Sequence, residues 1–252
     1  MEIHRVDAGR GAGWYADGWN IVKGQIGMWI LLILIYFVLA FVLGVIPIIG
    51  GLIMALIGPG LIGGLYAAAQ ASSAGGNIEV GHLFMAFKDE QRRGPMLTLG
   101  AINIGLTIVL VLTIGLIIGG GMGASELAGD DPAMMAQAMQ GAGLAGLLAI
   151  LAVSLAIAMA MIYAVPLVMF TDTPPIEALK LSLKASLTNW LPLLVFGLIF
   201  IPLAIIAMIP LMLGWLFLMP VLMGALYASY REIFGAPEAP GTTASPITQM
   251  PM

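Results

Sequence analysis

The sequence predicts an all-α polytopic membrane protein, its six transmembrane helices built as three parallel repeats of an interfacial helix followed by a transmembrane hairpin. Composition carries the first part of this reading. Of 252 residues, 61% are apolar and 9% charged, where a soluble chain carries about 25% charged residues. One core cannot enclose that much apolar surface, because even large single domains leave much of theirs in water; lipid has to cover the rest. Periodicity and charge placement supply the other two parts, the number of spans and their direction.

A bilayer core needs roughly 20 apolar residues per helix, and six runs qualify, at 28–47, 51–72, 95–119, 143–169, 190–209 and 212–229. The first pair is joined by a turn around Pro47, Gly50 and Gly51, and the last pair by one around Pro210 and Gly214. Residues 123–141 join the third and fourth runs. Interfacial helices precede the hairpins. In residues 175–190, Ile176, Leu179, Leu183, Leu187 and Trp190 share a stripe opposite Glu177, Lys180, Lys184 and Thr188, with Thr173 as cap and Pro174 in the first turn. Residues 79–93 repeat the pattern with Val80, Leu83, Phe84 and Phe87, and residues 14–26 with Tyr15, Trp19, Val22 and Ile26.

All nine Lys and Arg lie outside the runs and on one side: Arg5, Arg10 and Lys23; Lys88, Arg92 and Arg93; Lys180 and Lys184; Arg231. The opposite side has Glu126, Asp130 and Asp131. Because positive charge is retained on the cytoplasmic side, both termini are expected there. The first residues show no small-residue cleavage pattern, so no cleaved signal peptide is expected.

The repeats are legible as local identity. Residues 94–104, GPMLTLGAINI, align without gaps on 191–201, LPLLVFGLIFI, and residues 59–67, PGLIGGLYA, on 220–228, PVLMGALYA. Lys23, Ile26 and Trp29 match the spacing of Lys184, Leu187 and Trp190. The units run over about 13–72, 79–169 and 174–230, within a single membrane domain 1–235 followed by a disordered cytoplasmic tail, 236–252. Since every hairpin enters and leaves on one side, the copies are parallel, unlike the inverted pairs of many transporters.

Small residues recur every four positions, as Gly60, Gly64, Ala68 and Ser72, and as Ala152, Ala156, Ala160 and Ala164. They read as close packing within the chain rather than as a contact between copies, and oligomeric state stays open. Pro59, Pro166 and Pro220 place one expected kink in each even-numbered span.

Chemistry-bearing groups are few. No ionisable residue falls inside a run, which argues against a proton-driven pump. Asn103 is the candidate polar site in the bundle, read first as an interhelical hydrogen bond. Two glycine triplets, Gly58, Gly60, Gly63 and Gly141, Gly143, Gly146, match a dinucleotide fingerprint but follow no strand. With no cysteine and only His4 and His82, neither a thiolate nor a multi-histidine metal site is expected; Met134, Met135 and Met139 read as membrane packing rather than a copper site. A net charge of −4 excludes a general nucleic-acid binder. No cofactor, metal or catalytic group is expected, and the chain reads as non-enzymatic.

The opening MEIHRVDAGRGAGWYADGW, the segments VGHLFMAFKDEQRRGPML and PPIEALKLSLKASLTNW, and the ending LMPVLMGALYASYREIF resemble a family of uncharacterised proteobacterial inner-membrane proteins over about residues 1–235. That family is distantly similar to the membrane domain found beside some glycerophosphodiester phosphodiesterases. The resemblance implies fold and location, and no phosphodiesterase activity. The functional expectation is therefore binding of an anionic lipid or a membrane-protein partner through Lys88, Arg92, Arg93, Lys180 and Lys184 at the face of the bilayer. The alternative is a transporter or facilitator of a small neutral or amphiphilic solute, with a path near Asn103.

Overall fold

The computed structural model describes residues 2–127 and 132–235, with side chains except those of residues 120–142. The tail 236–252 and the methionine and acidic side chains of the loop 123–141 lie outside the described residues. Among those described, regular structure is helical throughout.

Helix α1 (Arg10–Val22) continues through a 3-10 turn, Lys23–Gln25, into α2 (Ile26–Gly44), and α3 (Ile49–Ser73) returns. A 3-10 turn, Val80–Phe84, and α4 (Met85–Lys88) lead to the long α5 (Glu90–Leu127). Then follow α6 (Pro132–Met161), α7 (Ala164–Phe170), α8 (Pro175–Thr188), α9 (Trp190–Met208) and α10 (Trp215–Phe234). Five stretches are long and apolar enough to cross a membrane: Arg10–Gly44, Ile49–Ser73, Glu90–Gly119, Gly143–Phe170 and Trp190–Met208. The chain is thus a membrane protein by length and composition. The sixth expected run falls in α10, whose last turn carries Arg231 and Glu232 and dilutes its apolar character.

Three boundaries differ from the expectation, each for a local reason. The basic segment 79–93 is not one helix. It breaks at Asp89, whose Oδ1 accepts the Gln91 backbone N–H at 2.8 Å while its carbonyl accepts Arg93 N–H at 2.9 Å, so Asp89 starts α5 as an N-cap does. Arg92 and Arg93 consequently sit on the first turn of the long helix. The fourth run is interrupted at Ile162 and Tyr163. Ser182 and Ser186 of α8 donate to the Met159 carbonyl at 2.8 and 3.1 Å, and Tyr163 N–H turns to Ser182 Oγ at 3.0 Å; side chains inserted into the ladder open it. Finally, α8 starts at Pro175 with Pro174 at the N-cap rather than in the first turn, which leaves Thr173 one residue too early to cap it, and the Thr173 hydroxyl pairs with that of Thr171 at 2.7 Å instead.

The three short helical segments at one end rest mainly on elements outside the hairpins they lead into. Helix α1 packs on α10 and α9, the Val80–Phe84 turn and α4 pack on α3, and α8 packs on α6 and α7. Small residues permit the crossings. A Cβ on Gly18 would overlap the Val221 carbonyl and the Ala225 backbone, one on Gly64 the Leu83 and His82 carbonyls, and one on Gly11 the Pro192 carbonyl. Trp14, Tyr66, Tyr163 and Tyr230 fill the space between them, each at most 2% exposed. We call this the cationic end. At the opposite, hairpin end, Ile48, Leu116 and Leu211 are 82%, 77% and 89% exposed.

Candidate functional site

Two places hold the residues that the sequence singled out. The first is a cavity of about 610 Å³ within the bundle, lined among others by Tyr36, Met54, Pro59, Tyr66, Asn103 and Met223. Its walls follow from the prolines. Pro59 has no N–H for the carbonyl four residues back, and Asn103 Nδ2 donates to that carbonyl, Ala55 O, at 3.3 Å. Pro166 frees Ile162 O in the same way, and the Tyr66 hydroxyl donates to it at 3.3 Å. The expected interhelical role of Asn103 is therefore present, and Asn103 also faces a space rather than solid packing. Apolar side chains, alanines and glycines make the remaining wall, so the cavity accepts apolar matter with few polar contacts.

The second place is a shallow groove of about 420 Å³ on α8, lined by Lys180, Leu183, Lys184, Leu187 and Thr188. Helix α8 has three faces. Ala178, Ser182, Ala185 and Ser186 turn inward and are buried. Ile176 and Leu187 are exposed at 62% and 57%, which is the apolar stripe expected to meet lipid. Lys180 and Lys184 form the third, exposed face. The contact from Lys180 to Glu177 is 4.0 Å with both side chains more than half exposed, a pair worth little in water, so both ammonium groups are available to a ligand.

The other cations divide. Lys88 and Arg93 are exposed. Arg92 is held within the fold: its guanidinium donates to Thr171 O and, at 3.3 Å, to Val168 O, and meets Asp172 at 3.3 Å. It thereby satisfies the carbonyls at the end of α7, which a helix terminus leaves free. The structure thus brings Lys180 and Lys184 together, keeps Lys88 and Arg93 at the surface, and gives Arg92 a structural partner. The stripes of the other two interfacial segments are less regular: Val22 and Leu83 are fully buried within the protein, and Trp19 is 49% exposed.

Sequence reading missed a third place, where Arg10 binds Glu232 and Asp17 at 2.8 and 2.7 Å and Trp14 Nε1 donates to Glu232 at 2.8 Å. Nothing local ties residues more than 200 positions apart. The one available signal was the pair of charges that closes α10, Arg231 and Glu232, placed against an apolar helix.

A family model for proteins of unknown function (DUF975) matches residues 19–236. The chain belongs to the DUF975 family. The match takes in every helix from α2 to α10, both lysines of α8 and Asn103, and it leaves most of α1 outside. It agrees with the resemblance to an uncharacterised family and assigns no activity. No curated protein and no solved structure matches the chain.

Proposed function

We propose that this DUF975 member is a non-enzymatic protein of the bacterial inner membrane that binds anionic lipid through the cationic end of its bundle. In this reading α10 is a sixth span, the three hairpins are parallel repeats, and both termini are cytoplasmic. The groove on α8 carries the proposal: two exposed lysines one helical turn apart, flanked by the half-buried Leu183 and the exposed Leu187. That arrangement matches a phosphate at the headgroup level above acyl carbon, since amphipathic helices at the interface combine apolar burial with attraction to anionic lipid. The crossing pattern supports the repeats, because Gly64 and Ala225 occupy equivalent positions in the aligned segments and each receives a short helix from a different part of the chain.

The test is retention of phosphatidylglycerol by purified protein, followed by native mass spectrometry. Replacing both lysines, Lys180→Gln with Lys184→Gln, is expected to weaken retention about tenfold or more, each lysine near an anionic surface contributing about 1 kcal/mol. Unchanged retention in the folded variant sinks the reading, and co-purification of a stoichiometric protein replaces lipid by a protein partner.

The cavity beside Asn103 favours a second reading, a path for a small amphiphilic solute. Filling it by Ala55→Phe should then lower flux in reconstituted vesicles, and undiminished flux would remove that path.

A further inference from the structure

At the cationic end, α1 and the last turns of α3 and α10 enclose a polar cleft of about 530 Å³ whose lining includes Asp17, Asn20, Ser72, Arg231 and Glu232. It is separate from the α8 groove, with which it shares no lining residue. We propose that this cleft binds a zwitterionic phosphoethanolamine group, phosphate toward Arg231 and ammonium toward Asp17.

The hydrogen-bonding groups not yet committed within the protein set what the cleft can hold. Arg10 gives Nε–H to both Glu232 carboxylate oxygens and one Nη2 hydrogen to Asp17, so two carboxylates already balance its charge. Arg231 is different: among the described residues its buried Nε has no acceptor and no carboxylate pairs with it. That Nε is closed to a ligand, but the Nη groups make no hydrogen bond among the described residues, and a phosphate oxygen in the cleft is the acceptor that their planar fork suits best. Asn20 adds a second donor, because its Oδ1 already accepts Lys23 Nζ at 2.7 Å, which orients Nδ2 as the remaining group and brings a further positive charge to the rim.

The other wall is made for a donor. The Ser72 hydroxyl gives its hydrogen to the Ile21 carbonyl, its Oγ 2.5 Å from that oxygen, and keeps only lone pairs. Asp17 uses Oδ2 for Arg10 and has Oδ1 to offer. A plain anion would meet Asp17 and Glu232 in the same space, and a plain cation would meet Arg231. A group carrying both signs satisfies each wall, and a primary ammonium can donate to Ser72 and Asp17 where a quaternary one cannot.

The experiment titrates delipidated, detergent-solubilised protein with phosphatidylethanolamine, phosphatidylcholine or phosphatidylglycerol and reads bound lipid by native mass spectrometry. Phosphatidylethanolamine is expected to bind about tenfold more tightly than phosphatidylcholine, which lacks ammonium donors. Arg231→Gln should remove that preference, Lys180→Gln with Lys184→Gln should leave it intact, and Arg231→Lys should restore part of it. Equal binding of the ethanolamine and choline lipids by the unaltered protein overturns the proposal without requiring any variant to fold, as does preference for phosphatidylglycerol over phosphatidylethanolamine in the double lysine variant. Free phosphoethanolamine distinguishes the sources. Displacement of lipid at millimolar concentration supports a site open to the soluble headgroup, and an ethanolamine preference that resists displacement supports a site for the intact lipid. Because the lysine variants act on the α8 groove alone, failure here and failure of the anionic-lipid reading are told apart.

Discussion

The two ends of the bundle are held by different physics. At the cationic end, backbones cross at Gly11, Gly18 and Gly64, large aromatic side chains including Trp14, Tyr66, Tyr163 and Tyr230 are buried, and serine hydroxyls replace backbone partners in the broken fourth run. At the hairpin end, the turns around Ile48 and Leu211 carry apolar side chains that nothing among the described residues covers. Interior packing tolerates no misfit at the first, whereas lipid adapts to the second. The difference teaches that specificity in this fold resides where the short helices cross, and that the hairpin tips need only remain apolar.

Substitutions at the two ends should therefore diverge sharply. Gly18→Leu drives a side chain into the Val221 carbonyl and the Ala225 backbone and is expected to abolish recovery of monodisperse protein in detergent. Leu211→Ala, at a residue 89% exposed, should leave recovery and thermal midpoint nearly unchanged. Equal tolerance at both positions would break the comparison.

A smaller effect is expected in the polar joint between α8 and the fourth run. Ser182→Ala with Ser186→Ala removes two donors from Met159 O and the acceptor of Tyr163 N–H. Leaving such buried groups unpaired costs about 1 to 3 kcal/mol each, so a clear drop in thermal midpoint should follow in detergent. Asn103→Leu lies nearer the open half and loses one bond of 3.3 Å, expected to cost about 1 kcal/mol. Its thermal midpoint should fall less than that of the double serine variant, which sharpens the gradient from one end to the other.

Much of this was legible in sequence because span placement depends on local composition. The second run was expected from residue 51 and α3 begins at Ile49; the fifth was expected from 190 and α9 begins at Trp190. The turn chemistry of Asp89 was equally local and was overlooked, since Asp followed by Glu and Gln marks a helix start. A kink in the fourth run was legible from Pro166, but its extension to a break at Ile162 and Tyr163 was not, because serines about 20 residues downstream take part in it. Nor was the role of Arg92, set by carbonyls at Val168 and Thr171. In the candidate site, Lys180 and Lys184 could be paired from helical spacing alone. The cleft around Arg10 and Arg231 could not, because only tertiary packing brings the first and last helices together.

The absence of cysteine makes the central claim, that one end gathers the cations on the cytoplasmic side, directly measurable. Single cysteines at Lys88 and Lys184 would be challenged with a membrane-impermeant maleimide in intact cells and again after the membrane is opened. The account predicts no labelling of either position until opening and full labelling of both afterwards. Labelling of either cysteine in intact cells, or opposite behaviour of the two, would contradict it.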